Sequence, residues 1–268
     1  MRPAPSTNRS LLAYAGLYLA FLYLPVLFLP LFSFNDSQFI AFPLAGFSTR
    51  WYQELWHDSA MLTALSNSLK VGVVTALLST LLGLLAAKAV TQYRLRGTAA
   101  ALAFIGLPLF IPDIVLGIAL LLLVAAAGLP MSLVTVVLGH LCICLPFAVA
   151  VLIARFEGFD CNLEEASADL GEAPLMTFWR VTFPLMLPGI IASLLLTFIT
   201  SFDEFLLAYF LSGTDATLPV FIWSQLRFPQ RLPVVLALGA LILLASVALV
   251  VLAEWLRNRG TAKTSIGA

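Results

Sequence analysis

Long stretches without a charged residue constrain this chain more than any other feature of its sequence. Five such stretches are Ser10–Asn35, Val71–Ala87, Ile114–Ala154, Val181–Phe202 and Leu232–Ala253. An α-helix needs roughly 20 apolar residues to cross the hydrocarbon core of a bilayer, and four of these stretches approach that length. Ile114–Ala154 is about twice as long and contains the turn sequence Gly128-Leu129-Pro130, so it supplies two helices. Its first half joins the apolar run from Thr98, and Met131–Ala154 is its second half. The expected total is six transmembrane helices.

The composition excludes an ordinary soluble domain. Of the 268 residues, 61% are hydrophobic and only 10% are charged, whereas soluble domains carry about 25% charged residues. The 14 basic and 14 acidic residues cancel, so no global basic field indicates a nucleic-acid partner. We therefore expect an all-α membrane protein.

Lysine and arginine are distributed unevenly between the segments that connect the predicted helices. If the N-terminus is cytoplasmic, the inner segments hold Arg2, Arg9, Lys88, Arg94, Arg96, Arg155, Arg180, Arg257, Arg259 and Lys263. The outer segments then hold Arg50, Lys70, Arg227 and Arg231. Basic residues accumulate on the cytoplasmic side, so both termini are predicted to be cytoplasmic. The expected organisation is a tail at 1–10, a six-helix domain at 11–256 and a tail at 257–268. The first apolar stretch is too long for a signal peptide and is expected to be retained.

Two predicted outer segments are rich in aromatic residues. They are Phe34–Ala60, with Trp51, Tyr52 and Trp56, and Leu218–Pro233, with Trp223. The first is expected to form an amphipathic piece at the membrane surface. Tryptophan and tyrosine are common at membrane interfaces, so these segments are either an interfacial belt or a surface for a partner outside the membrane.

The segment from about Arg155 to Pro184 is the longest one predicted to face the cytoplasm. Six carboxylates fall between Glu157 and Glu172. Small or apolar residues recur within it at helical spacing, at Leu163, Ala166, Ser167 and Leu170. The inner leaflet attracts basic segments, so an acidic helix with an apolar face favours a protein partner over lipid headgroups.

Signals for helix ends divide this loop into two short helices. Asn162 is placed to cap the first helix, with Glu165 three positions later. Gly171 is placed to end that helix in a left-handed conformation. Pro174 is suited to the first position of the second helix. Pro184 is expected to close the loop before the fifth transmembrane helix.

The spacing within this loop resembles the coupling loop of ABC importer permeases. The matching residues are Glu165-Ala166-Ser167, then Gly171 after three residues, then Val181-x-Phe183-Pro184 after nine more. The family pattern has Ala, Ile and Leu at the positions of Ser167, Val181 and Phe183. The resemblance implies a fold like that of a type I ABC importer permease, multi-pass in the bacterial inner membrane. The coupling residues that it implies are Glu165, Ala166, Ser167, Gly171 and Pro184.

The same resemblance implies a set of partners. In that family the loop helix docks into a groove on a separate ATPase subunit and transmits its opening and closing. The expected assembly contains two ATPase copies, a second permease and an extracytoplasmic solute-binding protein. ATP and Mg would be bound by the ATPase, because this chain contains no G-x-x-x-x-G-K-[ST] phosphate loop. We therefore expect neither enzymatic activity nor a cofactor in this chain.

Three carboxylates fall inside the predicted membrane helices: Asp113 in the third, and Asp203 and Glu204 in the fifth. A carboxylate at the bilayer centre costs about 2.5–3.5 kcal/mol, so such residues face a bundle interior or a wet cavity. Along straight helices Asp113 and Asp203 each lie roughly 22 Å from the cytoplasmic end at 1.5 Å per residue. They either line a path for a cation or pair with basic residues of the outer segments, Lys70, Arg227 or Arg231.

Short motifs around these carboxylates resemble the spermidine/putrescine subfamily of ABC permeases. The motifs are Ile111-Pro112-Asp113-Ile114-Val115, Ser201-Phe202-Asp203-Glu204-Phe205, Phe210-Leu211-Ser212-Gly213, Thr217-Leu218-Pro219 and Ser33-Phe34-Asn35. The resemblance implies a polyamine substrate. Carboxylates held apart, with aromatic rings between them, suit an extended polycation. The expected path residues are Asp113, Asp203, Glu204, Phe202 and Tyr209.

Two alternatives stay open: a permease for another small solute, and a secondary transporter that works alone. The coupling loop favours an importer, because a carrier that works alone has no use for it. The sequence does not separate putrescine from spermidine, or identical from related permease partners. His57 and His140 lack a second ligand at metal-site spacing, so no metal site is expected. His140 is instead expected to form a hydrogen bond to a neighbour.

Overall fold

The computed structural model describes residues 9–93 and 96–261, with side chains at 11–93 and 96–248. In that part of the chain the regular structure is helical, apart from one antiparallel bridge between Asn35 and Phe47. The α-helices are α1 (Arg9–Ser33), α2 (Arg50–His57), α3 (Ser59–Gln92), α4 (Thr98–Gly106), α5 (Asp113–Ala126), α6 (Leu133–Glu157), α7 (Asn162–Asp169), α8 (Pro174–Thr177), α9 (Phe183–Asp203), α10 (Leu206–Leu211), α11 (Leu218–Gln225) and α12 (Leu232–Thr261). Among the predicted inner basic residues, Arg2, Arg94 and Lys263 lie outside the described residues.

Five helical segments of the described chain are long and apolar enough to cross a membrane. They are Leu11–Ser33, Ser59–Gln92, Leu133–Glu157, Pro174–Asp203 and Pro229–Ala248. A sixth span results if α4, its following 3-10 turn and α5 are counted as one broken span. The all-α membrane fold is therefore confirmed. The side of the membrane that each terminus faces stays a prediction.

The third predicted span is not a straight helix. Thr98–Phe110 and Asp113–Ala126 meet at a bend of 106°. Pro112 lies at this break and Ile111 before it is extended, with φ −92° and ψ 130°. A proline disfavours helical backbone at the residue before it, which explains the position of the break. The depth expected for Asp113 assumed a straight helix, and this assumption was wrong.

Two other spans are longer than the charge-free stretches that predicted them. α3 continues past Lys70 at one end and Lys88 at the other. The fifth of the six predicted spans begins at Pro174 and runs for 30 residues to Asp203. Pro184 therefore lies within this span and does not close the loop. Pro184 follows a π-helical turn at Phe178–Thr182. The ring of a proline crowds the carbonyl four residues earlier, and a wider turn accommodates it within a continuous helix.

The chain divides into two compact units, and the first comprises Met1–Ser59 with Ile222–Ala268. Within this unit α1 and α12 pack on each other, and α2 packs on α12. α2 is amphipathic, as predicted. The indole N–H of Trp51 donates to the carbonyl of Asn35 at 2.8 Å, and the Tyr52 hydroxyl lies 2.6 Å from that of Ser33. These two aromatic residues hold the unit together internally, whereas Trp56 is 65% exposed.

The second unit comprises Ala60–Phe221, and its centre is the packing of α6 along α9. Small and hydroxylated residues line the helices of this unit. The hydroxyls of Thr80 on α3 and Ser193 on α9 lie 3.0 Å apart in the interior. A Cβ atom at Gly83 on α3 would lie 2.8 Å from the Cβ of Ala148 on α6. Such small residues let membrane helices approach closely and form hydrogen bonds.

His140 on α6 is fully buried within this unit. Its Nδ1 atom lies 2.8 Å from the hydroxyl of Ser201 on α9. The expected hydrogen bond to a neighbour is therefore confirmed. His140 tethers α6 to the end of α9 close to Asp203 and Glu204.

Candidate functional site

The predicted short helix of the long loop is present as α7, but Asn162 does not cap it. The carboxylate of Asp160 accepts the backbone N–H of Asn162 at 3.0 Å and its side-chain amide at 2.8 Å. Asn162 is thus the first residue of the helix, and the expectation that it is the capping residue was wrong. Asp160 satisfies a free N–H at the helix start, where a negative charge is also favoured.

The other end of α7 has the predicted geometry. Gly171 adopts φ +84°, a left-handed conformation that residues with a side chain rarely adopt. The N–H of Glu172 reaches the carbonyl of Ser167 at 3.2 Å, and that of Gly171 reaches Ala168 at 2.9 Å. These bonds satisfy the last carbonyls of the helix. α8 then begins at Pro174, as expected.

The predicted apolar face of α7 is exposed, and the neighbouring turns enlarge it. Glu165 and Ala166 are exposed, whereas the hydroxyl of Ser167 is half-buried and lies 3.0 Å from that of Thr177. Large apolar side chains on α7 and on the turns that follow it are exposed in the described chain and form what we name the loop patch: Leu163, Leu170, Leu175, Met176 and Trp179. Leu170 is the most exposed of them, at 86%. Several large exposed apolar side chains on one short segment are typical of a protein interaction site.

Glu164, which the sequence pattern did not single out, fastens α7 to the rest of the second unit. Its carboxylate lies 3.1 Å from Nζ of Lys88 and accepts the side-chain amide of Gln92 at 2.8 Å. It also accepts the hydroxyl of Thr182. Successive helical residues diverge by about 100°, so Glu164 faces the chain while Glu165 faces solvent. Lys88, at the end of a charge-free stretch, was a signal that an acidic partner was required.

The three membrane carboxylates lie at two helix breaks that the fold brings together. α5 begins at Asp113, immediately after the break at Pro112. α9 ends at Asp203, and α10 begins three residues later. α10 packs against α5, and a Cβ atom at Gly117 would lie only 2.7 Å from the ring of Phe210. This close approach sets the start of α5 beside the end of α9.

Glu204 is the central member of this carboxylate cluster, which consists of Asp113, Asp203 and Glu204. It interacts electrostatically with both aspartates. Its carboxylate accepts the backbone N–H of Leu207 at 3.0 Å, which satisfies a free donor at the first turn of α10. Glu204 is half-buried, whereas Asp113 and Asp203 are exposed.

The described ion pairs leave the carboxylate cluster without a basic partner. Arg231 pairs with Glu54 and Asp58 at 3.6 Å and 3.4 Å, both within the first unit. None of the other ion pairs in the described chain includes a residue of the cluster. An unpaired carboxylate cluster on membrane helices is available to a cation.

The aromatic residues predicted beside the cluster, Phe202 and Tyr209, lie on α9 and α10 and pack against other rings. Phe202 stacks on Phe198 with ring centroids 5.7 Å apart. Tyr209 is 48% exposed, with its ring centroid 5.7 Å from that of Phe205 and 5.5 Å from that of Phe210. Carboxylates and exposed aromatic faces together can hold a cation and the methylene groups attached to it.

Known proteins resemble the chain in sequence and in fold. Residues 79–260 match the family described as binding-protein-dependent transport system inner membrane component. The chain is 37% identical over 235 residues to the putrescine transport system permease protein PotI of Escherichia coli K12, covering 85% of this chain and 83% of that one. It is 31% identical over 228 residues to the spermidine/putrescine transport system permease protein PotC of Haemophilus influenzae, covering 85% and 88%.

The fold is shared with a solved ABC transporter. A chain of a bacterial ABC transporter involved in the import of the acidic polysaccharide alginate superposes with a TM-score of 0.70. The match covers 95% of this chain and 99% of that one, at 18% identity. The family match and the curated relatives together show that the chain belongs to the family of inner-membrane components of binding-protein-dependent transport systems.

Proposed function

We propose that this chain is the substrate-conducting permease of an ATP-driven importer for polyamines. The main support is the carboxylate cluster, which has no basic partner in the described chain and is flanked by Phe202 and Tyr209. The relatives named above carry putrescine or spermidine in their names and are 37% and 31% identical to this chain.

The chemistry of the cluster suits a polyamine better than a single metal ion or a sugar. A polyamine carries ammonium groups separated by methylene chains. Asp113 and Asp203 are exposed and lie on different helices. Each carboxylate can therefore contact a different ammonium group of the same ligand. Tyr209 offers an exposed aromatic face for the methylene chain or for an ammonium group.

The loop patch supports docking to a separate ATPase. It exposes large apolar side chains on an acidic loop, and α7 ends in the glycine geometry described above. In this proposal Glu165, Ala166, Ser167, Gly171 and Pro184 serve ATPase coupling, and ATP and Mg are bound by that subunit. The complete importer contains two ATPase copies, a second permease of related sequence and an extracytoplasmic binding protein. α7 faces the cytoplasm.

Competitive uptake measurements test the proposal. The chain is expressed with its partner subunits in a bacterial strain without its own polyamine uptake, and entry of labelled putrescine and spermidine is followed. We expect uptake that unlabelled polyamines compete away and that amino acids and sugars leave unchanged. An ATPase that cannot hydrolyse ATP should abolish it. If polyamines are not taken up while another solute is, the proposed substrate is wrong and the family assignment stands.

A further inference from the structure

α7 is connected to the rest of the second unit by two routes. One route is the short link through Gly171 and Pro174 into α8 and α9, supported by the hydrogen bond between Ser167 and Thr177. The other route is Glu164, whose carboxylate contacts Lys88 and Gln92 near the end of α3. The first route follows the chain, whereas the second joins residues more than 70 positions apart in the sequence.

The surroundings of Glu164 tie this second route to the π-helical turn. Thr182, the last residue of that turn, is fully buried and donates its hydroxyl to Glu164. Nζ of Lys88 lies 5.4 Å from the ring centroid of Phe178, the first residue of the turn. Both ends of the π-helical turn therefore contact the Lys88–Glu164 pair. π-helical turns within α-helices are frequent at functional positions.

α3 continues from this pair to the opposite end of the second unit. The side-chain amide of Asn67 donates to the carbonyl of Ala216 at 3.1 Å. The hydroxyl of Ser68 accepts the N–H of Leu218 at 2.8 Å. Asn67 and Lys88 are about 31 Å apart along a helix that rises 1.5 Å per residue, which matches the roughly 30 Å thickness of the hydrocarbon core. One helix thus links α7 with the segment that follows α10.

We propose that Glu164 is a positioning residue that passes the displacement of α7 to α3, and through α3 to residues 212–218 beside the candidate cation path. The inference rests on the proposed importer function, in which an ATPase displaces α7. A push on α7 reaches α9 through the chain itself. It reaches α3 through the ion pair of Glu164 with Lys88 and the hydrogen bond to Gln92. Without Glu164 the ATPase still docks on α7, but a displacement of α7 no longer moves α3 or residues 212–218.

The first test measures transport per ATP hydrolysed by the complete importer in proteoliposomes. Glu164→Gln keeps the size of the side chain and its capacity to bond Gln92 and Thr182, but it removes the charge that Lys88 needs. We expect the complex to assemble and to hydrolyse ATP, with the ratio of substrate moved to ATP hydrolysed falling on the order of tenfold. The matched control is Glu157→Gln, an exposed glutamate of the same loop, which should keep the original ratio.

A charge reversal separates coupling from simple stabilisation. Lys88→Glu combined with Glu164→Lys restores an ion pair of opposite orientation. The double variant should recover most of the transport per ATP hydrolysed that Glu164→Gln loses. If Glu164→Gln fails to assemble, Lys88→Met gives the same readout, because it leaves Glu164 bonded to Gln92 and Thr182. An unchanged ratio in Glu164→Gln, or in Lys88→Met in that case, would overturn the proposal.

The second test does not depend on the identity of the substrate. Thr214→Cys, an exposed position between α10 and α11, is labelled with a thiol reagent in the Cys161→Ser background, with and without a non-hydrolysable ATP analogue. We expect the ATP analogue to change the labelling rate severalfold in the otherwise unaltered chain and not in Glu164→Gln. An equal response in both chains contradicts the role of Glu164. Absence of polyamine uptake with a normal labelling response would contradict the proposed substrate alone.

Discussion

Asp113 and Asp203 differ from Glu204 in the protein contacts that they make. The two aspartates are exposed, whereas Glu204 also satisfies the first turn of α10. We predict that Asp113→Asn and Asp203→Asn each reduce polyamine uptake at least about tenfold, which corresponds to about 1.4 kcal/mol. Asparagine keeps the size of the side chain, so the amount of assembled complex should not change. Uptake and complex yield are measured on the same membranes, and undiminished uptake by the double variant would refute the cation path.

Glu204 is expected to behave differently when it is truncated. Glu204→Ala removes the acceptor for the N–H of Leu207, and loss of such a cap costs about 0.5–2 kcal/mol. We predict a lower melting temperature in detergent for Glu204→Ala, whereas Glu204→Gln keeps an acceptor and should melt closer to the original protein. Equal melting of all three chains would show that the contact does not stabilise α10.

The sequence predicted residues whose role is local and missed those whose partners are distant. Gly171 was predictable because a helix C-terminus by itself favours a residue that tolerates positive φ. The capping residue was misassigned because Asp160 and Asn162 are both suitable capping residues and lie two positions apart. In the structure the Asp160 carboxylate accepts the N–H of Asn162, which is itself the first residue of the helix. Lys88 signalled that an acidic partner was needed, but the sequence could not single out Glu164, because Lys88 and Gln92 belong to a helix that precedes it by more than 70 residues.

α7 depends on its glycine end for orientation. Gly171→Val places a β-branched residue at φ +84°, which is strained in any surroundings. We predict that the protein still inserts into the membrane, but that the ATPase no longer copurifies with it. The matched control is Gly158→Val in the same loop, since Gly158 has φ −92° and a Cβ added there would have only one atom within 4 Å. Normal uptake by Gly171→Val would contradict the assignment of this loop.

The contact between α3 and α6 depends on a small residue. Gly83→Val adds side-chain atoms where a Cβ would already lie 2.8 Å from the Cβ of Ala148 and 3.2 Å from the backbone nitrogen of Val149. Overpacking of this kind costs about 1–3 kcal/mol. We predict a lower melting temperature in detergent and less complex in membranes. Gly16→Val on α1 is the control, because nothing lies within 4 Å of a Cβ there, and equal loss in both variants would indicate a general effect of valine.

Whole-molecule orientation is open to a direct measurement. Cys161 is exposed beside α7, whereas Cys144 is buried and Cys142 is partly buried. We predict that a membrane-impermeant thiol reagent labels Cys161 in inside-out vesicles and not in intact spheroplasts. Gln38→Cys in the Cys161→Ser background should show the reverse pattern, because it lies in a predicted outer segment. Labelling of Cys161 from outside would invert the topology.

At the scale of the whole molecule, hydropathy predicted the number of membrane segments but not their shape. The apolar run from Thr98 was predicted to be one span because hydropathy does not report the direction of the helix axis. Pro112 alone did not reveal the bend of 106°. The continuation of α3 past Lys70 was equally hidden, since a charged residue does not end a helix that leaves the hydrocarbon region. Composition thus predicted which segments are apolar, whereas proline geometry and tertiary packing determine where the helices bend and end.

The bend between α4 and α5 has a consequence for hydration. The carbonyl of Pro112 accepts the N–H groups of Val115 and Leu116, but the amides before them at a helix start have no acceptor in a preceding turn, and hydrocarbon tails supply none. We therefore expect water to reach the peptide groups around Asp113. Deuterium exchange on the protein in nanodiscs should be fast at Ile114 and slow at Leu120, further along α5. The same wet turn would allow a charged solute to exchange its hydration shell gradually for protein oxygens.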